Sequence, residues 1–473
     1  MSIGPEWRSN RAGKSEIASL LLAKIVVKVL YGSQYNEMAF IFISLPDAQV
    51  TIKGRREMFK KAALNPVHII LMEIFIFALV GVPFAYIFDK RGYFFFLTRN
   101  VPQDVVVKSY LWTLYAFLTI IVLFYILRIN KRIKIYQARD IVHLPQSKYM
   151  LIWLGSFILA LLCTVFLFWQ SGFSHPFFSA LGLDRHLFAV KRIITFQSLN
   201  MNVYNAGLKI FASLALTIAL FVLRKFWVSA LSIMLLLVIA TFSLQKSPLA
   251  EIVLLLAFIY TLLRKPSYKT VSVLIFSMIS IIGIMYFLSG AVSSLTELWH
   301  SYTERILYGE FADLPYYFDL FRYERLKFSS ILPPYIQSLS GGISPGASRL
   351  VIEYTNPQAV SAGIAGFASS IFIGEAYAFW GTAGVIAAPF WVIVNYFIMT
   401  YVFTSVQKNV YTVFFFGYLI NNLTTALFRG FGYFVFSSIQ IIFGFLLYLF
   451  IIAYFAGHSK PAVLSVKDTP ACN

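Results

Sequence analysis

Long apolar runs separated by short polar segments dominate this chain. A helix needs about 20 apolar residues to cross the hydrocarbon core of a bilayer. Runs of this kind lie near 67–88, 107–127, 149–169, 204–223, 226–244, 249–263, 270–289, 380–404, 410–428 and 434–456. The pattern therefore predicts an all-α, polytopic integral membrane protein with about ten transmembrane helices.

The polar segments between the runs divide the chain into five parts. Within the first, Ser15–Leu30 is predicted to form an amphipathic helix on the membrane surface. A first span that ends near Leu45 is the alternative. A loop as long as 290–379 is usually functional or a small domain. The predicted parts are a cytoplasmic basic N-terminal segment 1–65, a seven-helix membrane part 66–289, a large periplasmic loop with short helices 290–379, a three-helix membrane part 380–457 and a cytoplasmic tail 458–473.

Composition and charge agree with this pattern. The chain is 59% hydrophobic and only 12% charged, whereas a soluble domain is about 25% charged. Its net charge of +19 is spread over many short segments, so nucleic acid is not a predicted partner. If the N-terminus is cytoplasmic, the inside segments hold 24 Lys and Arg and the outside segments hold 13. This bias predicts that both termini are cytoplasmic.

The sequence contains no motif of a familiar soluble enzyme. There is no Gly-rich phosphate loop followed by Lys, no HExxH and no GxSxG. The six His are scattered, and Cys163 and Cys472 have neither a disulfide framework nor metal-ligand spacing. No metal and no cofactor are therefore expected.

Four cations are predicted on the outside of the membrane, at or near the interface. Positive charge is otherwise depleted on that side, and Arg and Lys there suit a diphosphate head group. The alternative for each is a side chain that reaches the interface for structural reasons. The four are Arg192, Lys246, Arg305 and Arg429, whereas Arg185, Arg322, Arg325 and Lys327 are expected to be ordinary surface charges.

Glu375 is the most informative acid. It lies in the apolar stretch Phe372–Gly381, where an ionised carboxylate is costly unless it is paired or functional. A structural ion pair with an outside Arg is the alternative to a catalytic role. The spans are otherwise poor in central charge, because Glu73, Lys209 and Glu251 are predicted close to helix ends or the interface.

Four short stretches stand out within this layout. They are Asn65-Pro66 at the first span, Gln245-Lys246-Ser247-Pro248-Leu249 between two spans, Arg305-Ile306-Leu307 with Tyr316-Tyr317 downstream, and Phe372–Gly381 followed by Gly384-Val385-Ile386. Together they resemble the Wzy-type polymerases of bacterial O-antigen and related polysaccharides. The last stretch is similar to the glycine, acid, Tyr, glycine sequence with which that family enters a span.

The resemblance implies a GT-C-like glycosyltransferase in the bacterial inner membrane, with an active site that faces the periplasm. Its donor and acceptor would be undecaprenyl-diphosphate-linked repeat units in the lipid bilayer, and a chain-length regulator protein would be a further partner. The resemblance then implies that Glu375 acts as a base on the acceptor hydroxyl and that Arg305 stabilises the leaving diphosphate. The expected substrate-binding residues are Arg192, Lys246, Arg429, Tyr316, Tyr317 and Tyr377.

Two other functions stay open on the sequence. An O-antigen ligase has a similar layout and the same donor, and it usually shows a His in the late outside loop. His300 is the one His of 290–379. A transporter or flippase of lipid-linked sugars would need charged residues near the middle of the spans, and broken helices.

Overall fold

The computed structural model describes most of the membrane part of the chain. The described residues are 71, 74–87, 100–142, 145–180, 183, 185–244, 247–263, 294–304, 313–327, 346–361 and 371–426, with single positions at 273, 276, 280, 283, 284, 287, 330, 337, 368 and 431. The predicted N-terminal segment 1–65, the predicted span 434–456 and the tail 458–473 lie outside these residues.

Every regular element in the described residues is a helix. Two long helices begin directly after a proline, Pro102 and Pro145. Proline lacks a backbone N–H, and this loss costs nothing at a helix start because the first N–H groups of a helix have no partner within it. In chain order the helices are α1 (π-helical Ile74–Val80 continued by Gly81–Ile87), α2 (Gln103–Ile126), α3 (Ile129–Ala138), α4 (Gln146–Gln170), α5 (Pro176–Ala180), α6 (Arg185–Ser198), α7 (Met201–Leu223, π-helical at Ala206–Ala212 and Ala219–Leu223), α8 (Phe226–Thr241), α9 (Ser247–Leu263), α10 (Leu295–Glu304), α11 (Leu314–Leu320), α12 (Ala347–Thr355), α13 (Pro357–Ser361), α14 (Phe372–Ser405) and α15 (Val410–Ala426).

Four of these helices are long and apolar enough to cross a membrane. They are α2, α4, α7 and α14, with 24, 25, 23 and 34 residues. At about 1.5 Å per residue each exceeds a hydrocarbon core of about 30 Å. The helices predicted at 107–127, 149–169, 204–223 and 380–404 are thus confirmed, with bounds shifted by up to eight residues. The shorter apolar helices α8, α9 and α15 coincide with three more predicted spans, and the total of about ten stays a prediction.

The helices alternate in direction, so their ends form two groups. The Tyr377 end contains the starts of α2 and α14, where the Lys108 ammonium donates to the Tyr377 hydroxyl over 3.3 Å. The Lys408 end contains α3 and the turn between α14 and α15, where the Lys408 ammonium donates to the Gln137 carbonyl over 2.9 Å. The two ends are therefore separated by the length of a membrane-spanning helix.

Helix α7 lies at the centre of the bundle. Its most apolar stretch is 78% buried, against 28% for α2 and for α4. Gly207 permits a close crossing with α4, since a Cβ at this position would lie 2.8 Å from the Cβ of Cys163. The outer helices leave large apolar side chains exposed, among them Leu111, Leu162 and Trp169. Exposed apolar surface beside an apolar core is expected of helices that face lipid.

A buried ion pair joins α7 to α9. The Lys209 ammonium lies 2.5 Å from a carboxylate oxygen of Glu251, and the two side chains are only 10% and 15% exposed. The side-chain amide of Asn421 on α15 donates to the main-chain carbonyl of Glu251 over 3.2 Å. Lys209 lies about 12 Å along α7 from its start. The sequence pattern predicts both charges close to helix ends or the interface, and Glu251 is the fifth residue of α9. Both side chains are nevertheless buried, which is tolerated because each charge neutralises the other.

At the Lys408 end, hydrogen bonds from Lys408 join the turn between α14 and α15 to the end of α3. The ammonium of Lys408 donates to the main-chain carbonyls of Gln137 and Arg139 over 2.9 and 3.0 Å, and the residue is 2% exposed. Its own carbonyl accepts from the Val142 amide over 2.8 Å. Burial lowers the pKa of the Lys408 ammonium from 10.5 to about 8, although the Asp140 carboxylate acts in the opposite direction.

Replacing Lys408 by methionine is expected to change how stability depends on pH. Between pH 8 and 10.5 the unfolded chain keeps the proton on this lysine and the folded chain has released it, so raising the pH stabilises the fold. Relative to Lys408→Met, the free energy of unfolding of the natural chain is expected to rise by about 2 kcal/mol across this window. Thermal unfolding in detergent from neutral pH to about pH 10 measures the difference.

The matched control for this prediction is Lys131→Met, which removes an exposed lysine of the same end. Its pH profile is expected to follow that of the natural chain, because the buried ammonium of Lys408 is unchanged in this variant. Parallel pH profiles for the natural chain and Lys408→Met would contradict the prediction.

Candidate functional site

Helix α14 is broken near its start by Gly381. This glycine has φ 61° and ψ −141°, a conformation that residues with a Cβ rarely adopt. A Cβ at this position would also lie 3.0 Å from the guanidinium of Arg325. The break leaves main-chain carbonyls at the end of the first part of the helix, which begins at Phe372, without helical partners. Gly381 therefore provides both the bend and the space for Arg325.

Arg325 and the residue after it donate to two of the carbonyls that this break leaves without helical partners. The guanidinium of Arg325 donates to the main-chain carbonyl of Tyr377 over 3.3 Å and to that of Phe321. The amide of the next residue, Leu326, donates to the Ala378 carbonyl over 2.9 Å. The guanidinium also lies 4.3 Å from the centre of the Tyr377 ring, which is within the range of a cation–π contact. The segment after α11 thus fixes a cation against the helix break.

Lys108 approaches the same tyrosine from α2. Its ammonium donates to the Tyr377 hydroxyl over 3.3 Å and lies 5.2 Å from the ring centre. The ring of Phe318 on α11 stacks on the Tyr377 ring, with the two centroids 4.3 Å apart and the ring planes at 26°. Tyr377 is consequently only 1% exposed, whereas Lys108 and Arg325 are exposed. A buried tyrosine therefore holds two cations at the surface of the bundle.

Lys108 also belongs to an open groove along one face of α2 at the Tyr377 end. The groove has a volume of about 660 Å³ and is lined by Gln103, Asp104, Val107, Lys108, Leu111, Trp112 and Tyr115. An amide and a carboxylate come first along the helix, Val107 and the ammonium of Lys108 follow about one turn later, and the other apolar and aromatic side chains come last. Trp112 and Tyr115 meet edge to face with centroids 5.6 Å apart. The groove therefore matches an amphiphile whose anionic group lies between a polar and an apolar part.

The polar end of the groove has an excess of positive charge. The guanidinium of Arg322 lies 3.8 Å from the Asp104 carboxylate, and both side chains are exposed. Arg322 and Arg325 leave the same segment after α11, and Lys108 follows Asp104 on α2. Three cations and the carboxylates of Asp104 and Glu324 thus belong to this end, and the remaining positive charge favours binding of phosphate groups.

Gly381→Ala is expected to destabilise the protein and to displace Arg325. The new methyl group would occupy the space of the guanidinium, and the backbone conformation itself costs about 1–3 kcal/mol for a residue other than glycine. The free energy of unfolding in detergent is expected to fall by at least that amount. Gly155→Ala is the control, since nothing lies within 4 Å of a Cβ there and alanine favours a helix. Equal stability of the two variants would contradict the prediction.

Two residues of the predicted site, Glu375 and Tyr377, lie in the first part of α14. Side chains two positions apart leave a helix about 200° apart around its axis. Glu375 therefore points away from the side on which Tyr377 meets Lys108. It is half-buried and makes contacts of its own. The structure brings Tyr377 to the two cations and places Glu375 on another face of the helix.

The other predicted site residues do not line the groove, or lie outside the described residues. Tyr316 and Tyr317 on α11 are buried, at 0% and 1% exposure, so stacking of a sugar on either ring would require α11 to move. Arg192 is half-buried on α6. The residues that fall outside the described part of the chain are Arg305, Lys246 and Arg429, and their roles stay predictions.

Sequence reasoning missed three residues of this site, Lys108, Arg325 and Gly381. For Lys108 the available signal was a cation at the start of the predicted span 107–127. Arg325 was expected to be an ordinary surface charge, and no local pattern marks its contact with a carbonyl 52 positions later. Gly381 ends the stretch that carried the family resemblance, where a glycine in an apolar run was the signal for a bend.

The chemistry of the groove is suited to phosphate and lipid. Among the residues that the structure describes, no three His, Cys, Asp or Glu side chains come together in a way that could hold a metal ion. Comparison with protein-family models, with curated proteins and with solved structures finds no match for this chain. The groove is therefore the feature from which a function is inferred.

Proposed function

We propose that the chain is a glycosyltransferase that polymerises undecaprenyl-diphosphate-linked repeat units into a bacterial surface polysaccharide such as O-antigen. The observation that carries this proposal is the order of side-chain chemistry along the groove of α2. A lipid-linked glycan presents sugar hydroxyls, then a diphosphate, then a hydrocarbon chain. Polar Gln103 and Asp104 come first, cationic Lys108 follows beside Val107, and apolar Leu111 and the two aromatic residues come last.

The spacing along α2 agrees with such a ligand. Asp104 precedes Lys108 by about 6 Å along the helix axis, and Tyr115 follows Lys108 by about 10 Å. A diphosphate beside Lys108 therefore has room for its first sugar near Asp104 and for the start of an isoprenoid chain against Trp112 and Tyr115. Arg325 supplies a second cation, and a guanidinium can bind a phosphate through two parallel hydrogen bonds.

The distribution of charge supports the proposed orientation in the inner membrane. At the Lys408 end, the segments 127–148, 224–225 and 405–412 hold nine Lys and Arg in 32 residues. At the Tyr377 end, the segments 100–108, 185–200, 313–327, 346–361 and 371–377 hold eight in 63 residues. Because basic residues concentrate on the cytoplasmic side, the Lys408 end is proposed to be cytoplasmic and the groove periplasmic.

In the proposed reaction, Lys108 and Arg325 stabilise the negative charge that develops on the leaving diphosphate. Tyr377 positions both cations, since its hydroxyl accepts from Lys108 and its ring contacts the Arg325 guanidinium. Arg305 keeps the role that the family resemblance implies. Glu375, the base that the resemblance implies, lies on another face of α14 than Tyr377. A GT-C-like architecture and a chain-length regulator as partner belong to the same proposal, which requires no metal or cofactor.

The direct test is an assay of the purified chain in liposomes that contain one lipid-linked repeat unit. The expected products are a ladder of longer glycans on a gel, together with released undecaprenyl diphosphate. Cells that lack the chain are expected to accumulate single-unit material. Unchanged substrate in the liposomes would contradict the proposed function.

A transporter or flippase of lipid-linked sugars is the second candidate, and one observation favours it. The Lys209–Glu251 pair lies inside the bundle, and charges within membrane helices often mark a transport pathway. A flippase would move the lipid-linked unit across the liposome membrane without lengthening it, so the same liposomes distinguish the two functions. A ligase of similar architecture would transfer the glycan only after a lipid A core acceptor is added.

A further inference from the structure

Asp104 is the carboxylate that lies beside the proposed position of the reacting sugar. It is exposed, it lines the groove, and Lys108 follows it by about one turn on the same face of α2. The first sugar of a lipid-linked glycan is bonded directly to the diphosphate. A diphosphate held by Lys108 therefore brings the anomeric carbon to the level of Asp104.

Substrate can reach the carboxylate of Asp104. The Arg322 guanidinium lies 3.8 Å from it, and both side chains are exposed. Among the described residues that line the groove, Asp104 is the one carboxylate. Two other acids do not line the groove. Glu375 is half-buried with contacts of its own, and Asp319 accepts from the Tyr354 hydroxyl over 2.9 Å.

We infer that Asp104 is a catalytic base that accepts the proton of the acceptor hydroxyl, an inference that rests on the proposed function. The acceptor oxygen forms a bond to the anomeric carbon while its proton passes to the Asp104 carboxylate. The bond between the anomeric carbon and the diphosphate oxygen breaks, and its electron pair leaves with the diphosphate beside Lys108 and Arg325. The carboxylic acid then releases its proton to water, because the groove is open.

The test separates turnover from binding on the full chain in liposomes. Asp104→Asn keeps the size and polarity of the side chain and removes the base. It is expected to lower kcat for chain lengthening by about 100-fold and to leave KM and the Kd of farnesyl diphosphate within about twofold. The fall of natural activity on acidification, which protonation of a base causes, is expected to disappear. Asp104→Glu is expected to restore part of the rate.

Two variants serve as comparisons. Glu324→Gln removes an exposed acid of the same end outside the groove, and it is expected to leave kcat unchanged. Glu375→Gln tests the base that the family resemblance implies. If Asp104→Asn keeps more than about half of the natural rate while Glu375→Gln abolishes it, the inference is overturned.

A structural role for Asp104 would give a different result. An acid in the first turn of α2 also stabilises the helix end. If Asp104→Asn lowers the thermal midpoint, or loses farnesyl diphosphate binding together with turnover, the residue serves the helix or the binding site and the inference is overturned. If the natural chain lengthens nothing, the proposed function has failed instead, and the inference falls with it.

Discussion

Lys108→Gln is expected to lower the rate of glycan chain lengthening by about 100-fold or more. The ammonium of Lys108 is exposed in the groove and is held by the Tyr377 hydroxyl, so it meets an incoming diphosphate in a fixed position. Charge develops on that diphosphate as the sugar leaves, and a fixed positive charge contributes most where new charge forms. Glutamine keeps a hydrogen-bond donor near Tyr377 and removes only the charge.

The second cation is expected to act together with the first. Arg325→Gln, combined with Lys108→Gln, is expected to reduce chain lengthening below detection and to weaken binding of farnesyl diphosphate, because both positive charges are lost. Lys327→Gln removes an exposed cation of the same segment outside the groove and is the matched control, with a rate close to that of the natural chain. A Lys108→Gln rate within about twofold of the natural rate would contradict the assignment.

Lys209→Ala is expected to lower the free energy of unfolding by about 3–5 kcal/mol, the largest change in stability predicted for the chain. It removes the positive charge 2.5 Å from the Glu251 carboxylate, whose side chain is only 15% exposed. A buried carboxylate that loses its counter-charge must be desolvated without compensation or take up a proton. Replacing both residues, as Lys209→Met with Glu251→Leu, is expected to recover most of the loss, because a buried pair can be exchanged for apolar side chains.

An exposed ion pair of the same chain provides the comparison. Arg349 and Glu353 lie one turn apart on α12 at 2.8 Å, with side chains 35% and 42% exposed. Arg349→Ala is expected to cost at most about 1 kcal/mol. Thermal or denaturant unfolding in detergent measures all three variants. A shift for Lys209→Ala no larger than that for Arg349→Ala would show that the buried pair does not hold α7 to α9.

The positions of the long helices were accessible from the sequence. The apolar run at 149–169 became α4 at Gln146–Gln170, and that at 204–223 became α7 at Met201–Leu223, because a run of apolar residues long enough to span a bilayer has few other stable conformations. Which of these helices lies at the centre was not accessible. All are apolar on every side, so the pattern does not distinguish a face that meets lipid from one that meets protein.

The site was predictable only in part, because its contacts join distant positions. Tyr377 was expected at the site from its stretch, but Lys108 lies 269 positions before it and sits in a different helix. The Lys209–Glu251 pair shows the same limit, since two charges that each look peripheral along their own helix meet in the interior. Local patterns indicate where a charge stands on its helix, while the packing of helices decides which charge it meets.

The dense positive charge at the Lys408 end attracts this end of the bundle to anionic lipid head groups. Each Lys or Arg near an anionic leaflet contributes about 1 kcal/mol of attraction, which decays within a Debye length of about 8–10 Å. On α3, Lys131 and Lys134 are exposed while Ile133 is buried, so the helix presents its charges outward. In the proposed orientation it would act as an electrostatic anchor to phosphatidylglycerol-like head groups, and it would fix the depth of the bundle in the bilayer.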